Sequence, residues 1–361
     1  MQTNSLPKEI KTIAIFRANA LGDFIFSTPM IRAIRAHFPK AKITYIGMDG
    51  HKSLIESRYP EIDEVLTLPQ VSETEYISSK DWQSVHDFAK SLKGKFDVFL
   101  QVHDGSLEAN TFARNAAAAY TIAFSDRPDE NFDVVLPMTS YIHEVNRHLE
   151  VARLLGAPVV EYEPTMKHLD TDWSDLERHF DVDDRPIVIL HPGAGDPRRR
   201  WPAANFASVG DWLAEHGYRV VITGTREEIG LAEDVLGLMK HDASCTAGRL
   251  SLAALIALMS VAKLFISNDT GPLHIARAIG LPTIGIYSPA FILHAGPMSV
   301  HTNRVLVSCV TKCPKCEMDL MCNPWDRYGE EPSKGTCTHD QSLVDDVKAE
   351  DCIELIQSML K

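Results

Sequence analysis

Three short stretches carry residue types able to do chemistry on a phosphate-bearing substrate. "RANALGDFIFSTPM", Arg17–Met30, sets an acid, Asp23, just after a Gly-containing turn. "HPGAGDPRRRWP", His191–Pro202, joins Gly193 and Gly195 to three successive arginines, Arg198, Arg199 and Arg200. "SNDTGPLHIARAIG", Ser267–Gly280, places Asp269, Thr270 and Gly271 ahead of Pro272 and His274. Glycines let backbone N–H groups approach a phosphate closely, and guanidinium groups add charge and paired hydrogen bonds. The second stretch therefore reads as an anion-binding loop, with Gly193, Ala194, Gly195 and Arg198 among its contacts; its bland reading is a solvated arginine run before a helix. In the third, the N–H groups of Thr270 and Gly271 open a helix whose dipole favours an anion, and Pro272 sits where no N–H is missed. Asp269 would repel phosphate; it is either an acceptor for sugar hydroxyls or an N-cap, and His274 is packing or contact with equal weight.

Asp23 poses the sharper question. A strand, a Gly-containing turn and a helix is where nucleotide-binding folds hold a phosphate, yet here a carboxylate stands at that mouth. Its bland reading is a helix N-cap.

The elements that must position these residues alternate. "KTIAIF", "KITYIG", "FDVFLQV" and "YTIAF" are short β-type runs, and "FSTPMIRAIRAHF" and "WQSVHDFAKSLK" between them have helical spacing. A helix over 142–155 stops at Gly156. A charged stretch then ends in "DVDDRP", and a second alternating series begins at "PIVILHPG". The pattern predicts an α/β chain of two Rossmann-like domains facing across a central cleft. The expected boundaries are 1–165, a linker over 166–185, a second domain over 186–340 and a closing helix over 341–361.

At 361 residues two domains are the default, and 45% hydrophobic with 24% charged residues is a globular composition. A formal charge of −13 argues against nucleic acid as a partner. "MQTNSLPKEIKTIAIF" lacks the charged-then-apolar layout of a signal peptide, so a cytoplasmic protein is expected, with peripheral membrane contact left open. Five of the seven cysteines fall between Cys309 and Cys337, at C-x3-C-x2-C-x5-C-x14-C. Thiolates so spaced can wrap one tetrahedral ion; Cys313, Cys316, Cys322 and Cys337 are candidate ligands of a structural zinc or iron, weighed evenly against reduced structural thiols.

Taken together, the three stretches resemble glycosyltransferases of family 9, the heptosyltransferase type of lipopolysaccharide assembly. "ITGTREE", Ile222–Glu228, matches a fourth family segment more loosely, so the likeness runs in order from Ile13 to about Pro289. The resemblance implies a GT-B architecture, with the acceptor on the first domain and the nucleotide sugar on the second. It implies an inverting transfer that needs no metal cofactor, from a nucleotide-diphosphate sugar (ADP-heptose) to a lipopolysaccharide core or another saccharide; a protein acceptor and a non-catalytic sugar-nucleotide-binding module are the alternatives. Asp23 would be the general base, and Arg199, at a position where the family usually has Lys, would neutralise the leaving diphosphate. Thr270 and Gly271 would add backbone donors, Asp269 would hold sugar hydroxyls, and Glu227 or Glu228 would lie near the ribose. Arg17 would orient the acceptor or pair with Asp23, with Asn19 beside it on the acceptor side.

Overall fold

The computed structural model describes residues 5–69, 82–126, 129–138, 142–319, 321 and 339–360. The chain forms two compact units, Met1–Pro164 and Thr165–Lys361.

The first unit is built on six strands: β1 (Thr12–Phe16), β2 (Lys42–Gly47), β3 (Glu64–Thr67), β4 (Val98–Gln101), β5 (Tyr120–Phe124) and β6 (Val134–Leu136). They stand in the order β3-β2-β1-β4-β5-β6, all parallel. The second unit repeats the plan with β7 (Ile187–His191), β8 (Arg219–Ile222), β9 (Ser244–Cys245), β10 (Leu264–Asn268), β11 (Thr283–Tyr287) and β12 (Asn303–Val307). Its order is β12-β11-β10-β7-β8-β9, again parallel, so each unit has the doubly wound Rossmann topology. Strands β4, β5, β7, β10 and β11 are buried at every position. That explains their continuous apolar runs, since helices cover both faces of such sheets.

Each unit has its own core. In the first, Phe16 stacks on Phe112 with ring centroids 4.1 Å apart, beside Phe99 and Val85. In the second, Val188, Leu190, Ile266 and Ile284 pack with Phe206 and with Cys352 and Ile356 of the last helix, Ala349–Met359.

Three elements differ from the sequence expectation. The first helix spans Leu21–His37 and starts at Leu21 rather than Phe26, so Asp23 lies inside its first turn. Gly22 suggested a turn, but it is buried within the helix, as is Pro29. Pro29 has no N–H for the Ile25 carbonyl, and the Thr28 hydroxyl donates to that carbonyl at 2.8 Å instead. The stretch 166–185, expected as a linker, contains a helix, Asp170–Leu176, and Met166 N–H donates to the Ala278 carbonyl of the second unit at 2.7 Å. The closing helix begins only at Ala349. Among the described residues no helix is long and apolar enough to cross a membrane.

Candidate functional site

In open parallel sheets, ligands bind beyond the carboxyl ends of the strands where the strand order reverses. That point lies between β1 and β4 in the first unit and between β7 and β10 in the second. The candidate residues gather at both points, and the two crevices are built differently.

In the first unit Arg17 leaves the end of β1, its N–H donating to Ile46. Its side chain is 3% exposed and crosses the reversal point. All five guanidinium N–H donors find acceptors: Nε to the Asp23 carbonyl at 3.0 Å, Nη1 to the carbonyls of Val102 and His103, and Nη2 to Asp23 Oδ1 at 2.9 Å and Glu144 Oε2 at 3.1 Å. Burial disfavours that cation, but the Asp23 and Glu144 charges more than offset it and raise the pKa of Arg17 further. Arg147 pairs with the other Glu144 oxygen, making a chain of alternating charge. Thus the crevice that would hold a phosphate in a nucleotide-binding half is filled by a guanidinium, which presents the Asp23 carboxylate at 27% side-chain exposure. The N-cap is Ala20 and makes no side-chain cap, so Asp23 does not cap the helix. Because every Arg17 donor is used inside the chain, pairing with Asp23 is the arrangement found of the two expected for it. Asn19 is half-buried close by in sequence, and its Oδ1 is buried without a hydrogen-bond partner.

His103, Glu144 and Arg147 were not singled out from the sequence. His103 follows β4, is 7% exposed, accepts from Ala18 N–H through Nδ1 at 3.2 Å and lies 3.5 Å from Asp104. Burial holds its pKa below the ordinary value. Its signal was the end of the strand run "VFLQVHDGS"; Glu144, 127 positions from Arg17, had none.

In the second unit the three arginines diverge. Arg198 is 5% exposed and forms a fork with Asp196 (Nε to Oδ2 3.0 Å, Nη2 to Oδ2 2.7 Å), while Asp196 Oδ1 accepts the Arg198 N–H at 2.9 Å. Burial disfavours the Asp196 carboxylate, but the Arg198 hydrogen bonds outweigh it and lower its pKa. Arg198 is thus engaged with Asp196 within the loop. Arg200 Nε turns back to the Ala194 carbonyl at 2.9 Å. Arg199 reaches the third stretch: Nη1 lies 3.3 Å from Asp269 Oδ2, and its guanidinium stands 5.1 Å from the Phe291 ring centroid.

Asp269 is 2% exposed and lies between Arg199 and His274, whose Nε2 is 3.3 Å from Oδ1. Burial disfavours its carboxylate, but the His274 ring 3.3 Å away and the Arg199 and Arg277 charges outweigh it, so its pKa is lowered. Thr270, not Asp269, is the N-cap of the helix Gly271–Ala278, and no side chain caps that end. His274 is thereby a partner of Asp269 in that first turn.

Asn268 joins the two stretches and was missed from the sequence. It is fully buried; Oδ1 accepts the Trp201 N–H at 2.9 Å, and Nδ2 donates to the carbonyls of Pro192 (2.8 Å) and Gly193 (3.2 Å). One amide thus staples both ends of the arginine loop to the end of β10. Gly193 lies against Glu228: a Cβ there would stand 2.1 Å from Glu228 Oε1 and would displace that carboxylate. Glu228 accepts the Thr225 N–H at 2.8 Å and lies 3.8 Å from His191 Nε2. Of the two glutamates named from the sequence, Glu228 is the one at the loop, and Glu227 is exposed. Gly193 and Ala194 are buried, and Gly195 is exposed.

Of the candidate metal ligands, Cys313 and Cys316 are brought together, and His339 joins them: one ligand atom of each lies within 4.8 Å of the others. Cys322 and Cys337 lie outside the described residues. Cys245 is half-buried, whereas Cys352 is fully buried and its thiol is pushed up to about 12 by that burial.

Comparison with known proteins gives a consistent likeness. Residues 85–324 match the model of glycosyltransferase family 9 (heptosyltransferase). The lipopolysaccharide core heptosyltransferase OpsX of Haemophilus influenzae is 23% identical over 307 residues, covering 82% of this chain and 84% of that protein. Among solved structures, a family 9 glycosyl transferase from Veillonella parvula superposes with a TM-score of 0.75 at 21% identity, covering 99% of both chains. The Escherichia coli ADP-heptose lps heptosyltransferase II does so with a TM-score of 0.71 at 19% identity, covering 97% of this chain and 98% of that one.

Proposed function

This chain belongs to glycosyltransferase family 9, the heptosyltransferases, and from that premise we propose that it transfers a heptose from ADP-heptose to a saccharide acceptor of the lipopolysaccharide-core type, with inversion. The GT-B fold and the glycosyltransferase class come with the family; donor, acceptor and residue roles are our reading. The observation that carries it is the contrast between the two crevices. One has its phosphate place filled by Arg17, which steadies Asp23; the other keeps a glycine loop, Arg199 and an uncapped helix start.

In this reaction the Asp23 carboxylate takes the proton of the acceptor hydroxyl as its oxygen attacks the anomeric carbon. The bond from that carbon to the diphosphate oxygen breaks on the opposite face, and the charge passes to the leaving ADP. Arg199 meets the developing charge, helped by the N–H groups at Thr270 and Gly271 and the helix dipole behind them. No metal is needed for that task, because the cation is supplied by the chain. Asp269 has two functions on this reading: it holds Arg199 and His274 before the donor arrives, and it accepts from sugar hydroxyls afterwards. Glu228, against Gly193, is suited to the ribose. Asn19, with its Oδ1 lacking a partner, is the acceptor-side contact.

The test is Asp23→Asn, nearly isosteric and able to keep the Arg17 contact through its amide oxygen. We expect ADP affinity within about twofold of wild type and transfer reduced by about 10^2–10^4, the usual contribution of a positioned base. Transfer at the wild-type rate would remove Asp23 as the base. Arg199→Ala should instead weaken ADP binding.

A further inference from the structure

We propose that Cys313, Cys316 and His339 bind one zinc-type divalent ion, and that this ion clamps the loop carrying Arg199.

The donor set comes first. Cys313 and Cys316 sit on a tight turn, "CPKCEM", closed by Glu317 N–H to the Cys313 carbonyl and Cys313 N–H to the Met318 carbonyl, both 2.9 Å. Glu317 is held at φ 58°, a left-handed conformation that a residue with a side chain adopts at a cost, so the turn is imposed by its surroundings. Lys312 and Asp319 form an antiparallel bridge across its base. The chain returns 26 residues after Cys313 to set His339 Nδ1 3.6 Å from Cys313 Sγ. Zn–S and Zn–N bonds of about 2.3 and 2.0–2.1 Å give a tetrahedral S···N edge of about 3.6 Å. Two thiolates and an imidazole select zinc, or iron as the next choice, over calcium or magnesium, which require oxygen ligands.

What lies past His339 gives the ion a mechanical role. Leu343 packs on Cys313 together with Val310 and Met318. Its N–H donates to the Arg198 carbonyl at 2.7 Å, and the Ser342 hydroxyl donates to the Arg200 carbonyl at 2.7 Å. These two bonds grip the loop on either side of Arg199. Arg198, Val310, Leu343 and Phe291 also line one small cavity, and Phe291 is the ring beneath the Arg199 guanidinium. An ion joining positions 313, 316 and 339 closes a long loop and fixes the start of the 339–343 segment. Fixing that segment holds the two carbonyls, and with them Arg199, in place. The effect on ligand affinity rests on the donor reading of Arg199; the binding of the ion does not.

The experiment uses the full chain purified without chelator or metal-affinity tag. Elemental analysis should find about one zinc or iron per chain, and none in Cys316→Ser/His339→Ala. His339→Cys should keep the ion, because a third thiolate replaces the imidazole. Cobalt substituted into wild type should show thiolate-to-metal absorption that falls in Cys316→Ser. Removing the ion should speed amide exchange at Leu343 at least tenfold, while amides of β10 stay unchanged, and should weaken ADP binding about tenfold. A chain with no zinc or iron that takes up no added zinc overturns the site, as does full metal content in the double variant. An ion whose removal leaves Leu343 exchange unchanged overturns the clamp. Wild-type protein that binds metal and tightens Leu343 yet shows no ADP binding refutes the donor reading alone.

Discussion

Asn268→Ala tests the geometry of the second crevice most directly. The substitution removes an acceptor for the Trp201 N–H and donors for the Pro192 and Gly193 carbonyls, all at buried residues. A stranded buried backbone group costs about 1–3 kcal/mol. The 3.2 Å bond to Gly193 is the longest of the three, so its carbonyl is left out of the count. Counting Trp201 and Pro192 near the middle of that range gives a loss of about 4 kcal/mol. A domain stability of about 5–15 kcal/mol would survive it, so the variant should fold. Urea unfolding followed by tryptophan fluorescence measures the loss, with Trp201 as a reporter at the stapled end. Titration calorimetry with ADP should show affinity falling about tenfold, about 1.4 kcal/mol, because the released loop must be reordered on binding. Asn268→Asp separates the contributions: it keeps an acceptor for Trp201 and sets a carboxylate against two carbonyl oxygens, so it should be worse than alanine. A loss below about 0.5 kcal/mol together with unchanged ADP affinity would refute the staple, since a surface residue would do the same.

The first unit supports two further tests. His148 is fully buried, and burial, followed by the Arg17 charge, lowers its pKa from 6.5 to about 3. The folded chain keeps it neutral while the unfolded chain protonates it, so stability falls as pH drops from about 6.5 towards about 3; between pH 7 and 5 this one group costs about 2 kcal/mol. His148→Phe should remove that part of the acid sensitivity, seen as a smaller difference in unfolding free energy between the two pH values; an unchanged difference would contradict it. Thr28→Val should destabilise by about 1–3 kcal/mol by leaving the Ile25 carbonyl without the hydroxyl that replaces the N–H missing at Pro29. Thr28→Val/Pro29→Ala should recover most of that loss in the same denaturation assay, and failure to recover would show that the hydroxyl serves another purpose.

The alternation of apolar runs with helical spacing was enough to specify two parallel α/β units, because a strand covered on both faces must be apolar throughout. Local composition likewise placed a glycine loop, an acid and a helix start at strand ends, since those residues act through their own backbone neighbours. What each side chain faces was not legible there. Three adjacent arginines look like one basic patch, yet one grips Asp196, one reaches Asp269 and one turns back to Ala194. Glu144 lies 127 positions from Arg17, Asn268 lies 76 from Pro192, and His339 lies 26 from Cys313. Such pairings are written at no single place in the chain. Burial makes an unpaired charge or amide costly, so the folded structure alone settles which distant groups must meet.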